Sequence, residues 1–316
     1  MEGEISKKLT FNFLSLGTEI GLQLVLKGQN KIRESGIYFD EIGKIYESGM
    51  KTFSRFDKES ELSLINANLG KKTSCSPWMK EVAQKSIEYY KQTDGVFDPR
   101  IIGELERAGY DGDFKKLEFA TKKDQIINQE NLKVNQNSLE DDLIIEDDGV
   151  IFKVRMDFSG IVKGFITDQV ADYLKSVGIN NYLVDSGGDI AAYGSDEDCE
   201  NWNISVEGVS EEKVIIFLKN ESIATSGISR RKWEIEGKRR HHIINPKDPN
   251  NFSFELKSVT VLYPTTEQSD VMAKVLFLMG SEAGKEYARA HGVKCIFLGY
   301  NGNAWVSSAM KENILR

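Results

Sequence analysis

The chain has 316 residues, with 49 acidic residues against 41 lysines and arginines, for a formal net charge of −8. Generic nucleic-acid binding is excluded on that balance, because phosphate contacts require a basic face. The length allows a large core, as one big domain or two intimately packed halves. Cys75, Cys199 and Cys295 are far apart, odd in number and in no metal-ligand spacing, which points to a reducing compartment or to buried thiols. The N-terminal MEGEISKKLTFNFLSLG carries neither an apolar run of signal-peptide length nor a lipid-accepting cysteine, and no run approaches membrane-spanning length. A cytoplasmic location is expected, or an extracytoplasmic one if an export signal has been removed.

Residues 9–27 alternate as a strand pair interrupted at Leu16-Gly17-Thr18. Residues 31–52 and 77–93 read as amphipathic helices, with a short helix opening at Ser60 between them. Thr93-Asp-Gly-Val-Phe-Asp98 is a turn that places Phe97 and Asp98 at the end of the second helix. The lysine- and acid-rich stretch 115–155 predicts a peripheral ribbon with short strands near 143–145 and 150–154. Its run Glu140–Asp148 reads as solvated, not as a metal cluster. Residues 165–177 set Phe165, Val170, Leu174 and Val177 along a helical stripe capped by Gly178, and 182–185 reads as a buried strand running into Gly187-Gly188. From 201 onward strands dominate: 202–206, 214–218, 222–225, 233–235 and 258–262. A helix over 269–279 and a last strand near 295–298 follow. No repeat of solenoid period is present, and strands gathered apart from helices predict an α+β fold with mixed or antiparallel sheets and flanking helices.

The stretch richest in chemistry is Asp157-Phe-Ser-Gly-Ile-Val-Lys-Gly164, followed by Val184-Asp-Ser-Gly-Gly-Asp-Ile190. Gly160 has no Cβ, so a ligand or cation can approach its main chain. Asp157, if buried, needs a hydroxyl, ring N–H or cation as partner, and Lys163 suits a phosphate or, alternatively, an exposed first helical turn. Asp189 reads as a structural turn acid. Asp270 and Lys274 stand at i and i+4 in the order favoured on a helix surface. Arg230, Arg231, Arg239 and Arg240 read as solvated, or as a guide for an acidic segment.

Taken in order, these segments resemble the ApbE family of flavin transferases over roughly residues 14–300. The blocks that carry the resemblance are Leu16-Gly-Thr18; Phe53-Ser-Arg-Phe56 with Ser60-Glu-Leu62 and Asn66; Thr93–Asp98; Asp157–Gly164 with Val184–Asp189; Ala224-Thr-Ser-Gly227 leading to His242-Ile-Ile-Asn-Pro246; and Ser258-Val-Thr-Val261 with Ser269-Asp270. Each block alone is weak; six in order are not. The resemblance implies one FAD-binding domain over residues 1–316, with a flavin cleft between two packed halves. It implies Mg²⁺-dependent movement of FMN from FAD to a threonine or serine hydroxyl of a target flavoprotein, with release of AMP. Alternatives within reach of the same blocks are a Mg²⁺-dependent FAD pyrophosphatase and a flavin-binding protein with an impaired metal site.

Carried over by position, the resemblance makes Leu16 and Phe56 line the flavin pocket, Val96, Phe97 and Asp98 contact FAD, Asp157 and Lys163 bind it, and Ile244 close the pocket. It makes the Gly160 carbonyl and Asp270 metal ligands and His242 the acid/base. Two departures stand out. Members of the family usually read Ala-Asp-Ala-x-x-Thr at the metal block, where this chain has Ser269-Asp-Val-Met-Ala-Lys274. They also read His-Ile-Ile-Asp-Pro-x-Thr-Gly, where this chain has Asn245 and then Asp248-Pro-Asn250. An ammonium at 274 is therefore expected near the cation position, with weak metal dependence and slow or absent transfer.

Overall fold

The protein is seen in a computed structural model that describes residues 6–109, 135–197, 200–207, 213–229, 232–235 and 237–314. Cys199, Arg230, Arg231 and the 115–134 part of the expected ribbon lie outside the described residues. The chain opens with the hairpin β1 (Ser6–Ser15) and β2 (Thr18–Lys27), followed by α1 (Gln29–Arg33), α2 (Ser35–Phe53), α3 (Glu61–Asn66), β3 (Thr73–Ser74), α4 (Pro77–Gln92) and α5 (Ile102–Arg107). Then come α6 (Leu139–Asp142), β4 (Leu143–Glu146), β5 (Gly149–Phe152), α7 (Val162–Ser176), β6 (Tyr182–Ser186) and β7 (Ile190–Tyr193). The last part holds β8 (Trp202–Glu207), β9 (Lys213–Leu218), β10 (Glu221–Gly227), β11 (Lys232–Ile235), β12 (Lys238–His241), β13 (Leu256–Tyr263), α8 (Thr266–His291), β14 (Lys294–Gly299) and β15 (Ala304–Val306).

Eight strands form one sheet in the order β1-β2-β6-β7-β10-β13-β14-β15, every neighbour antiparallel. Period-two alternation explains why it is buried on both faces. Ile20, Leu22 and Leu24 of β2, Tyr182 and Val184 of β6, Val259 and Val261 of β13 and Phe297 of β14 pack into the larger core with the helices. Their neighbours Val25, Leu183, Leu262 and Ile296 enter a second cluster with Trp202, Ile216 and Leu218 of the β8–β9 hairpin. Strands from both ends of the sequence share this sheet. The expected α+β fold with antiparallel sheets and flanking helices is what the chain forms, and β1 and β2 belong to the same sheet as β13 and β14. Which strands neighbour one another is a long-range pairing that local alternation does not encode.

Helices α2, α3, α4, α7 and α8 all bury residues in the larger core. α7 buries Phe165, Val170 and Leu174 as expected. It ends at Gly178 (φ 71), where the Ile179 N–H donates to the Leu174 carbonyl at 2.9 Å, a Schellman closure. The helix expected over 269–279 begins three residues earlier and breaks at Gly280 (φ 81) before continuing to His291. The short strands expected near 143–145 and 150–154 form as β4 and β5, which pair with each other, and β5 also pairs with β3.

Candidate active site

The site is built on the crossing of α7 and α8. At Gly164 a Cβ would lie 2.6–2.7 Å from the Glu267 Cα and N and the Thr266 carbonyl, so only glycine lets the two helices approach this closely. One turn further along α7, the Asp168 carboxylate accepts from the Thr266 and Glu267 amides at 2.8 and 2.9 Å. It supplies from another helix the partner that the free N–H groups of a helix start require. Ser269 adds a second anchor, donating to the Ser222 carbonyl at 3.1 Å and accepting from the Tyr263 amide at 3.0 Å. With its start fixed, α8 brings Asp270 and Lys274 opposite the turn that leads into α7. The Lys274 ammonium donates to the Gly160 carbonyl at 2.7 Å and lies 3.4 Å from Asp270 Oδ1. Both side chains are largely covered, Asp270 at 5% and Lys274 at 23% exposure, so this is not the surface pair that their spacing allows.

The Thr93–Asp98 turn reaches the same place. Thr93 Oγ1 donates to the Tyr89 carbonyl at 2.7 Å and accepts from the Phe97 amide at 3.0 Å, while Asp94 and Gly95 take left-handed conformations. Phe97 is thereby buried beside Gly160, whose added Cβ would lie 3.4 Å from its ring. Val96 is buried next to it. The Asp98 carboxylate is engaged by Arg100, whose Nε and Nη2 lie at 3.0 and 2.8 Å, and Arg100 also reaches Asp142 at 2.6 Å. Asp98 therefore holds the turn through a buried guanidinium, and what it offers a ligand is chiefly backbone. Asp157 is buried too. Its amide donates to the Pro99 carbonyl at 2.8 Å, its Oδ1 accepts from the Ser159 amide at 2.8 Å, and Arg55 Nε lies 3.4 Å from its Oδ2. Asn66 fixes the preceding residue by pairing with both the amide and the carbonyl of Met156.

A third group comes from the ends of β1, β2 and β6. Leu16 (φ 51) and Gly17 (φ 71) close the β1–β2 hairpin in a two-residue left-handed turn, leaving Leu16 half-buried against the core. Gly187 lies against Thr18, where a Cβ would collide with the hydroxyl, so the diglycine turn and the hairpin tip are neighbours. A chain of hydroxyls, Tyr46 to Ser186 at 2.6 Å and Ser186 to Thr167 at 2.5 Å, ties α2, β6 and α7 together below them. Lys163 forms an ion pair with Asp189, which is buried. Burial pushes the Asp189 carboxyl up to about 6; Lys163 opposes that, and the nearby Asp270 charge adds to it. Asp189 is thus one of four coupled charges with Lys163, Asp270 and Lys274, and more than a turn acid. Phe56 stands apart as an exposed aromatic, 51% accessible, with the Arg55 guanidinium 4.4 Å from its ring centre.

At the end of β12 the two histidines differ. His241 is boxed by Phe252, Phe254 and Phe277, with Nε2 3.1 Å from the Ser253 carbonyl, and burial lowers its pKa. His242 is half-buried and the more accessible of the two. Ile244 packs in a small cluster with Leu105 and Ala108. Asn245 donates to the Leu278 carbonyl of α8 at 3.4 Å, and Lys247 pairs with Asp94, so this loop is fastened to both α8 and the Thr93–Asp98 turn. The structure thus brings Val96, Phe97, Asp157, Gly160, Lys163, Asp270 and Lys274 together. The sequence pattern assigns no role to Arg55, Arg100 or Asp168. Arg55 lies inside the Phe53–Phe56 block, whereas nothing local marks Asp168.

The ApbE family model matches residues 16–297. The chain belongs to the ApbE family. Among curated relatives, a FAD:protein FMN transferase of Vibrio cholerae is 30% identical over 298 residues, covering 90% of this chain and 85% of the relative. One of Haemophilus influenzae is 29% identical, covering 86% and 82%. The solved flavin transferase of Vibrio cholerae, in a histidine-to-glycine form, superposes with a TM-score of 0.80 at 27% identity, over 97% of this chain and 99% of that one. The apo flavinyl transferase of Pseudomonas stutzeri has the same fold, with a TM-score of 0.83 at 23% identity, over 99% and 98%.

The Mg²⁺ that the family resemblance implies can be tested against these residues. Mg²⁺ takes near-octahedral oxygen ligation at about 2.0–2.1 Å. Of the residues assigned to it, the Gly160 carbonyl already accepts from Lys274, Asp270 Oδ1 faces the same ammonium, and residue 274 offers no oxygen. Asp270 Oδ2 alone accepts no hydrogen bond. Among the described residues no group of three or more His, Cys, Asp and Glu side chains could hold a metal. A dication about 3 Å from the ammonium would be repelled by about 11 kcal/mol at an effective dielectric of about 20. One open carboxylate oxygen does not offset that. With Lys274 in this position, the site does not fit Mg²⁺.

Proposed function

We propose that the protein is a FAD:protein FMN transferase that moves FMN from FAD to a threonine or serine hydroxyl of a target flavoprotein and releases AMP, the whole chain acting as one domain. The observation that carries this reading is the convergence of Phe97, Asp157, Gly160, Lys163 and Asp270 at the start of α7 in a chain of this family. α7 starts without a side-chain cap, and a helix start of this kind favours a phosphate. In this reading the FAD pyrophosphate lies there, neutralised by Lys163 and Lys274. The flavin ring rests against Leu16 and the exposed ring of Phe56, with Val96, Phe97, Asp98 and Ile244 shaping the pocket wall and Asp157 receiving a hydrogen bond from the ligand.

The chemistry is attack on phosphorus, where catalysis is chiefly positioning and charge neutralisation. The acceptor hydroxyl oxygen donates its electron pair to the flavin-side phosphorus and the bond to the AMP oxygen breaks. His242 takes the hydroxyl proton, and AMP leaves with the electron pair of the broken bond. No helix of the described residues is long and apolar enough to cross a membrane.

The test is incubation with FAD and a target domain carrying an acceptor threonine, followed by in-gel flavin fluorescence. A covalent flavin band that disappears in His242→Ala supports the transferase. Free FMN and AMP without that band would make the protein a pyrophosphatase, and FAD binding with neither product a flavin-binding protein.

A further inference from the structure

The four charges at the start of α7 form a closed group. Lys163 is held by Asp189, and Lys274 by the Gly160 carbonyl and Asp270. Two ammoniums balance two carboxylates, so the group is formally neutral before any ligand arrives. Lys274 is fixed from both sides, because the α7–α8 crossing sets its Cα and Gly160 admits its tip. An added Cβ on Gly160 would lie 3.0 Å from the Lys274 Nζ and 3.6 Å from its Cδ. An ammonium so placed is a preorganised positive charge, and such charges stabilise phosphate oxygens without reorganising when the ligand binds. An ordinary surface ion pair is excluded by the burial of Asp270 and by the carbonyl contact. A purely structural clamp between α8 and the turn would make the same contacts but would leave metal uptake and flavin affinity unchanged when altered.

We propose that Lys274 is a tethered replacement for the divalent cation, so that this protein binds the pyrophosphate of FAD without metal. This rests on the reading of the cleft as a FAD site. A single charge replaces a double one, so the pyrophosphate is neutralised less completely than by a dication. An ammonium also cannot impose octahedral alignment on phosphate oxygens, so turnover is slow and does not rise with added Mg²⁺.

The test uses the full chain, Lys274→Thr and Lys274→Met, each checked for folding by circular dichroism. Mn²⁺ is titrated and followed by electron paramagnetic resonance, and FAD affinity is measured by flavin fluorescence in EDTA and in Mg²⁺. The unaltered protein is expected to leave Mn²⁺ free and to bind FAD equally, within about twofold, in both conditions. Lys274→Thr should lose about tenfold or more in FAD affinity in EDTA, regain it with Mg²⁺, and take up about one Mn²⁺ per chain. Lys274→Met should be weakened in both conditions, which a structural clamp would not do. The proposal is overturned if the unaltered protein takes up Mn²⁺ stoichiometrically, if its FAD affinity collapses in EDTA and returns with Mg²⁺, or if Lys274→Met binds FAD as well as the unaltered protein. Metal-independent FAD binding without covalent flavin on any target would sink the transferase reading and leave this one standing. Absence of FAD binding in every condition would sink both.

Discussion

Gly164→Ala tests the geometry on which the site depends. A Cβ at this position would lie 2.6 Å from Glu267 Cα, where ordinary contact begins at 3.4 Å. The opposing atoms are backbone, so a side-chain rotation cannot relieve the contact and the helices must part by about 0.8 Å. Overpacking of this kind costs about 1–3 kcal/mol, set against a helix-propensity gain of about 1 kcal/mol for alanine over glycine. A net destabilisation of up to about 2 kcal/mol is expected in urea unfolding followed by tryptophan fluorescence. The same displacement stretches the bond between Lys274 and the Gly160 carbonyl from 2.7 Å to about 3.5 Å, beyond hydrogen-bond range. FAD affinity should therefore fall by about tenfold, or about 1.4 kcal/mol. A variant stabilised by about 1 kcal/mol with unchanged FAD affinity would show only the propensity gain and refute the claim that this contact positions α8.

Asp168→Ala removes the acceptor for the first two amides of α8 and should cost about 0.5–2 kcal/mol of stability, the range for a lost helix cap; chemical denaturation measures it, and a loss below a few tenths would mean water replaces the carboxylate without penalty. Phe56→Ala should weaken FAD binding while shifting the melting temperature little, because the ring is 51% exposed; an unaltered flavin affinity would remove Phe56 from the pocket. His241 gives a pH signature. Burial holds its folded-state pKa below the ordinary 6.5, so as pH falls below about 6.5 the unfolded chain binds the proton first and stability drops until the folded pKa is passed. Stability measured from pH 7 to pH 5 should fall less in His241→Gln, and parallel profiles would contradict a neutral buried ring.

Much of this was legible in the sequence because it is local. The alternation in β2 and β13, the stripe on α7 and the Thr93–Asp98 turn follow from periodicity and from residues suited to special backbone conformations. The order of the six blocks from Leu16-Gly-Thr18 to Ser269-Asp270 was enough to name the family, because it recurs with the fold. The sequence even marked Lys274 as a departure. What it could not decide was whether Asp270 and Lys274 form a surface pair or a buried one, since both readings share the same i, i+4 spacing. Tertiary structure decided that by crossing α7 and α8 at Gly164, with Asp168 of one helix capping the other. It also turned Asp98 inward onto Arg100 and joined Asp189 to Lys163, 26 residues away. Such pairings depend on which elements meet in space. A local pattern sets the face a residue occupies, and only the packed chain sets what that face meets.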